Sequence, residues 1–139
     1  MICRQSDMIE VRRSELRGRG GRGVYAVTDI AQGTVFERVP VLLIPKNQIF
    51  GDPPHGQRSP RISWYVFDWE GMTKRDYVAL ALGYGSIYNH SYEPNARYTL
   101  IAPDLMEFHA LRPIPAGEEI LVNYNGDPVD KRPVHFELT

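Results

Sequence analysis

Three short segments carry the groups with which a protein could do chemistry. The first, Arg17-Gly18-Arg19-Gly20-Gly21-Arg22-Gly23, runs straight into Val24-Tyr25-Ala26-Val27. Glycines let a backbone turn tightly and bring its N–H groups close to a ligand. An RGG-type segment that binds RNA is the competing reading, and the adjoining strand speaks against it. The second is Gly85-Ser86-Ile87-Tyr88-Asn89-His90-Ser91-Tyr92-Glu93-Pro94-Asn95, where an amide and an imidazole could hydrogen-bond an adenine edge. Taken alone, it reads better as a polar loop whose Asn and Ser cap their own backbone. The third, Gly117-Glu118-Glu119-Ile120-Leu121-Val122-Asn123-Tyr124-Asn125, ends an apolar run on a tyrosine. Such a hydroxyl can point into a cavity, although an amphipathic core residue with its oxygen at the surface is commoner.

Other chemistries are excluded more easily. His55, His90, His109 and His135 show neither H-x-x-x-H spacing nor a carboxylate at a ligand-like offset, so no metal is expected. Cys3 stands alone, which rules out a disulfide framework and a Cys-based zinc cluster. No Walker motif, nucleophile elbow or Cys/His pairing occurs.

The chain that must position these segments has 139 residues, 42% hydrophobic and 24% charged, the proportions of one globular domain. Its formal net charge of −1 argues against a basic coat for nucleic acid. Charge is nevertheless uneven: residues 1–23 carry six arginines against Asp7, Glu10 and Glu15, while residues 104–139 carry seven acids against Arg112, Lys131 and Arg132. Different faces should therefore meet different partners. The longest apolar run, Val39–Pro45, is far short of the ~18 residues of a membrane span, and Met1–Asp7 lacks the apolar stretch of a signal peptide. The expectation is an intracellular domain with no membrane contact, with cytoplasm and nucleus both open.

Short β-rich runs dominate: Ile9–Arg12, Gly23–Val27, Thr34–Ile44, Trp64–Phe67, Arg97–Ala102, Met106–Leu111 and Ile120–Tyr124, each bounded by Gly, Pro, Asn or Asp. Ala102-Pro103-Asp104-Leu105 should turn one hairpin, with Pro103 pre-setting its first central position. A second turn is expected at Pro113–Gly117, and a short helix around Lys74–Leu80. Asn47–Arg61 reads as a long loop, mobile or facing substrate. The tail from Gly126 has no regular pattern, yet His135, Phe136 and Leu138 suit it to fold back over something apolar. The expected fold is small, irregular and mostly β.

Read in order, Gly21-Arg22-Gly23-Val24-Tyr25-Ala26, Asn89-His90-Ser91-x-x-Pro94-Asn95 and Gly117-Glu118-Glu119-Ile120-x-x-x-Tyr124 resemble the SET-domain protein-lysine methyltransferases, over about Ile9 to Gly126. The chain looks most similar to the minimal single-domain SET histone methyltransferases of large algal viruses. It shares with them Tyr65-Val66-Phe67, Ala81-Leu82-Gly83-Tyr84-Gly85-Ser86-Ile87-Tyr88-Asn89-His90-Ser91 and Pro94-Asn95-Ala96-Arg97. The resemblance implies a mostly β SET fold of short curved sheets with few short helices. The Asn-His-Ser segment and the C-terminal strand would form a pseudoknot. Residues 1–139 would be one SET domain with a core at about 9–126, its tail 127–139 closing the cofactor or substrate site.

The same resemblance implies S-adenosylmethionine as cofactor and no metal. Gly21, Arg22 and Gly23 would cradle its methionine part, and Asn89 and His90 its other polar groups. Tyr124 matches the active-site tyrosine, and Tyr98 an aromatic of the substrate-lysine channel. Tyr65 lines the same region, and Tyr65 and Tyr124 also border the cofactor. Many relatives carry an aromatic-x-Gly where this chain has Val39-Pro40-Val41, so that part of the channel does not carry over. The cysteines of zinc-bearing flanking regions are absent too, leaving Phe136 as the candidate to close the cofactor pocket. The implied partner is a basic protein or peptide, a histone H3 tail first, with Glu93 as one contact. Nucleic acid is expected only through the substrate, and a homodimer stays open. The alternatives are a methyltransferase of non-histone proteins and a non-catalytic SET module that binds peptide.

Overall fold

The computed structural model describes residues 3–14, 21–51, 61–69 and 77–134. Its strands are β1 (Ile9–Arg13), β2 (Arg22–Ala26), β3 (Val35–Pro45), β4 (Val66–Asp68), β5 (Tyr77–Ala81), β6 (Asn89–His90), β7 (Ala96–Ile101), β8 (Leu105–Ala110) and β9 (Glu119–Val122). A five-residue helix α1 (Lys46–Phe50) follows β3, and a 3-10 turn (Arg61–Tyr65) leads into β4. All seven predicted strands form within two residues of their expected bounds, and the mostly β expectation holds. Among the described residues, no helix is long and apolar enough to cross a membrane.

Two sheets result. One has the order β1-β2-β9-β6 and the other β4-β5-β3-β8-β7. Every pairing is antiparallel except β6 with β9, where Asn89 faces Leu121 and His90 faces Val122. Because β9 enters between β2 and β6, it locks the Asn-His-Ser segment to the glycine-rich strand. Asn95 fastens this interlock. Its Oδ1 accepts the Leu121 N–H at 2.8 Å, and its Nδ2 donates to the Glu119 carbonyl at 2.8 Å.

The core is strongly aromatic. Tyr88 is fully buried between Phe36 and Phe108, with ring centroids at 6.1 and 4.4 Å. Trp69, Met106, Ile114 and Ile120 fill the space around this stack. Along β3 the odd positions Glu37, Val39 and Val41 face inward, yet Phe36 is buried as well. The register against β8 shifts between Val35 and Glu37, an irregularity that re-aims one side chain and sends two consecutive residues to the core.

Four expectations need correction. The helix expected around Lys74–Leu80 is instead strand β5 over Tyr77–Ala81, with residues 70–76 outside the described set. Val78-Ala79-Leu80-Ala81 lacks the alternation of a half-buried strand because the consecutive residues Val78 and Ala79 are both buried, so β5 is covered on both faces. The loop expected over Asn47–Arg61 begins as α1, while residues 52–60 are not described. The last strand ends at Val122 rather than Tyr124. Buried Asn123 turns the chain there, its Oδ1 accepting the Asn125 N–H at 3.0 Å and its Nδ2 donating to the Asp130 carbonyl at 2.6 Å. A turn forms at Ala102-Pro103-Asp104, but with the Ala102–Pro103 bond cis, not the trans geometry that would put Pro103 at the first central position.

Candidate active site

Insertion of β9 between β2 and β6 gathers Gly21–Gly23, Asn89–His90 and Glu119–Tyr124 from three distant stretches of chain. The Asn89 amide does the joining. Its Nδ2 donates to the Arg22 carbonyl at 3.0 Å and to Glu119 Oε2 at 2.8 Å. Glu119 Oε1 accepts from the Ser14 hydroxyl at 2.7 Å and the Tyr25 hydroxyl at 3.1 Å. A Cβ at Gly23 would lie 2.2 Å from Glu119 Oε2 and 3.0 Å from Asn89 Nδ2, so only glycine allows this approach. Gly21 adopts φ +70°, in the left-handed region, with open space where its side chain would be.

The other end of the Asn89 side chain carries the ligand signal. Oδ1 is buried and accepts no hydrogen bond among the described residues. A buried acceptor without a donor costs about 1–3 kcal/mol, which an incoming N–H would recover. S-adenosylmethionine carries an α-ammonium and an adenine amine, either of which is such a donor. The glycine cradle and the Asn89 acceptor therefore fit the group the motifs implied.

One residue further on, His90 belongs to a second cluster. Its Nδ1 accepts the Tyr124 N–H at 3.0 Å, and its ring stands 5.1 Å from that of Tyr124 and 4.3 Å from Tyr92. The Tyr124 hydroxyl donates to the Tyr88 carbonyl. The Tyr98 hydroxyl donates to the Tyr124 carbonyl at 3.0 Å. Tyr124 is thus held at its amide, its carbonyl and its hydroxyl. Tyr98 lies against Phe67 in an edge-to-face pair at 4.8 Å. Burial, and then the charge of Asp68, push its phenol well above the ordinary range.

Two cavities meet at Tyr124. One of about 570 Å³ is bounded by Asp68, Arg97, Tyr98, Tyr124, Gly126 and Arg132. The other, about 300 Å³, has Phe50, Val66, Phe67, Val78 and Val134 beside the polar groups of Ser63, Asp68, Tyr124 and Asn125. Asp68, Tyr124, Asn125 and Pro133 line both. Tyr65 is half-buried and borders neither, although its neighbours Val66 and Phe67 line the smaller one; its carbonyl accepts the Ser86 hydroxyl at 2.9 Å. Phe136, like Arg17 and Arg19, lies outside the described residues. Glu93 is exposed, its N–H donated to Ser91 Oγ at 2.9 Å.

Sequence reasoning missed Glu119 and Ser14 behind Asn89, and Glu37 behind Tyr88. Glu37 had a signal, since it shares the inward phase of Val39 and Val41. Ser14 had none, because its partner lies 105 residues away.

A profile of the SET domain matches residues 21–125. The chain belongs to the SET-domain family. Among its relatives is a Schizosaccharomyces pombe histone-lysine N-methyltransferase specific for H3 lysine-37, 33% identical over 118 residues, or 84% of this chain and 72% of that protein. Kinship of this degree makes the SET-domain chain a protein-lysine methyltransferase by class. A Plasmodium falciparum protein solved as a candidate histone methyltransferase superposes with a TM-score of 0.63 at 27% identity, covering 87% of this chain and 94% of its own. The ctPRC2 complex, in an autoinhibited conformation bound to S-adenosylmethionine, matches with a TM-score of 0.61 at 20% identity, over 87% of this chain and 15% of that one. That last likeness speaks for the fold alone.

Proposed function

We propose that this SET-domain protein transfers methyl groups from S-adenosylmethionine to a lysine of a histone tail, histone H3 first. The observation that carries the reading is the adjacency of Asn89 and His90. One donates its amide N–H to the Arg22 carbonyl of the glycine-rich strand while its buried oxygen stays open, and the other holds the backbone of Tyr124, so the two groups are a single residue apart. Gly21, Arg22, Gly23, Asn89 and His90 hold the cofactor, with Tyr65, Tyr124 and Phe136 at its border. Tyr124 is the catalytic residue, and Tyr98 lines the lysine channel, with Tyr65 behind the Val66 and Phe67 that bound the smaller cavity. The whole chain acts as one SET domain of the minimal kind found in large algal viruses, inside the cell.

When bound, S-adenosylmethionine supplies a methyl group on a positively charged sulfur. The transfer is an in-line displacement, so the chain's contribution is alignment and exclusion of water. The target lysine must first lose a proton, at an ordinary pKa of about 10.4. A desolvating aromatic wall made by Tyr98, Tyr124 and Phe67 lowers that value. The phenol of Tyr124 then orients the free amine, and the ring faces favour its cationic product. Asp68, at the rim shared by both cavities, attracts a basic segment without sitting in the transfer line.

Incubation with labelled S-adenosylmethionine, histone H3 and whole-cell lysate tests the reading. Label on an H3 lysine is expected. Label on other proteins alone would move the substrate elsewhere, and binding of the cofactor without transfer would mark a non-catalytic module.

A further inference from the structure

Glu37 is a carboxylate with 6% exposure in an aromatic core, and the transfer itself gives it no task. Burial holds its carboxyl above the ordinary range, while hydrogen bonds from Tyr88 and Tyr84 pull the other way. Those bonds define its position. Oε1 accepts the Tyr88 hydroxyl at 2.7 Å and Oε2 accepts the Tyr84 N–H at 2.9 Å. The carboxylate therefore clamps both ends of the turn from Tyr84 to Tyr88. A Cβ at Gly83 would lie 2.9 Å from Oε2, so the turn is pressed directly onto it. Within the turn the Ile87 N–H reaches the Tyr84 carbonyl at 2.9 Å, and the Ser86 hydroxyl ties it to β5 at the Ala81 carbonyl, also 2.9 Å. At its far end stands the Tyr88 carbonyl, which accepts the hydroxyl of Tyr124.

We infer that Glu37 and Tyr88 are positioning residues for Tyr124, a buried clamp that fixes the carbonyl against which the Tyr124 hydroxyl is oriented. The inference rests on the proposal that this hydroxyl faces the reacting amine. The ring of Tyr88 alone, stacked between Phe36 and Phe108, could slide along the stack; the hydroxyl bound to Glu37 stops it. A displacement of a fraction of an ångström at the carbonyl is passed to Tyr124, where alignment decides the rate.

The test uses protein labelled with ¹³Cζ-tyrosine, the Tyr124 resonance being assigned through Tyr124→Phe. In Tyr88→Phe, which keeps the ring and loses the bond to Glu37, the Tyr124 resonance should move. Its kcat on an H3 peptide should fall roughly tenfold, with KM and cofactor affinity within about twofold of wild type. Glu37→Gln alone, which keeps the Tyr88 hydroxyl, is the conservative control, and both readings should lie much nearer wild type than in Tyr88→Phe. Its amide oxygen can accept the Tyr84 N–H, while its amide nitrogen donates to the Tyr88 oxygen. If Tyr88→Phe does not fold, the double variant Glu37→Gln/Tyr88→Phe removes the buried charge and keeps the ring, and the same readings apply. A Tyr124 resonance that stays in place would overturn the inference whether or not methyl transfer is detected, as would a loss confined to KM. A wild-type protein that transfers nothing refutes the proposed function instead, and the resonance still decides the coupling.

Discussion

Replacing Tyr124 with Phe removes one oxygen and leaves the ring beside His90, with the backbone bonds to His90 and Tyr98 intact. Transfer should drop on the order of 10²-fold, because the amine loses the group that orients it. Cofactor affinity and melting temperature should change little; a wild-type rate in single turnover would make Tyr124 a core residue. Tyr98 acts differently. Its hydroxyl is bound to the Tyr124 carbonyl and stands at the wall of the larger cavity. Each methyl added to the lysine enlarges a nitrogen that must rotate before the next transfer. Tyr98→Phe opens that space, and mass spectra of a peptide product should show a shift from mono- toward di- and trimethyl forms at equal turnover. An unchanged distribution would remove Tyr98 from the channel.

Strand β2 holds, at Gly23, the tightest clearance of the described glycines. Gly23→Ala would put a methyl group into the Glu119–Asn89 pair, and such overpacking costs about 1–3 kcal/mol. The melting temperature should fall, and cofactor affinity should fall with it, since the same shift turns the Asn89 acceptor away. Calorimetric titration of the variant decides, and unaltered affinity would separate Gly23 from the cofactor site. Elements such as β2, β7 and β8 were legible because half-buried strands alternate and end at Gly, Pro or Asn. β5 was not, since a strand covered on both faces loses its alternation, and Ala and Leu also suit a helix. The motif residues could be found one at a time, but not the order β1-β2-β9-β6 that gathers them. Asn89, Glu119 and Ser14 meet only through that pairing, which no local pattern encodes. The resemblance implied the meeting of the Asn-His-Ser segment with the C-terminal strand, but not the order of the sheet around it.

For the molecule as a whole, cofactor binding and pH both act on stability. A ligand that binds only the folded state at ~100 times its Kd adds about 2.7 kcal/mol, so S-adenosylmethionine should raise the melting temperature by several degrees. A chelator should leave that rise unchanged, and no rise at all would count against the site. At high pH the sign is opposite. Burial raises the phenols of Tyr88 and Tyr98 above their value in the unfolded chain, which is about 10. The folded form keeps both protons while the unfolded form sheds them, so this stability is complete below pH ~10 and drains away as pH rises beyond it. Urea titrations from pH 8 to 11 should show the decline, and Tyr98→Phe should make it shallower.

The middle position of β9 also bears on how the protein is made. While a ribosome is still decoding the stretch before Glu119, β2 has β1 on one side and nothing on the other, and the Asn-His-Ser segment has no strand to lie against. The five-stranded sheet has every one of its strands by Ala110 and can form first. Methyl transfer then waits until one short segment slides into a gap held open by the rest. Such late, long-range closure is slow compared with local hairpins. A cell that arrests translation before that segment holds a half-built scaffold with no activity to misdirect.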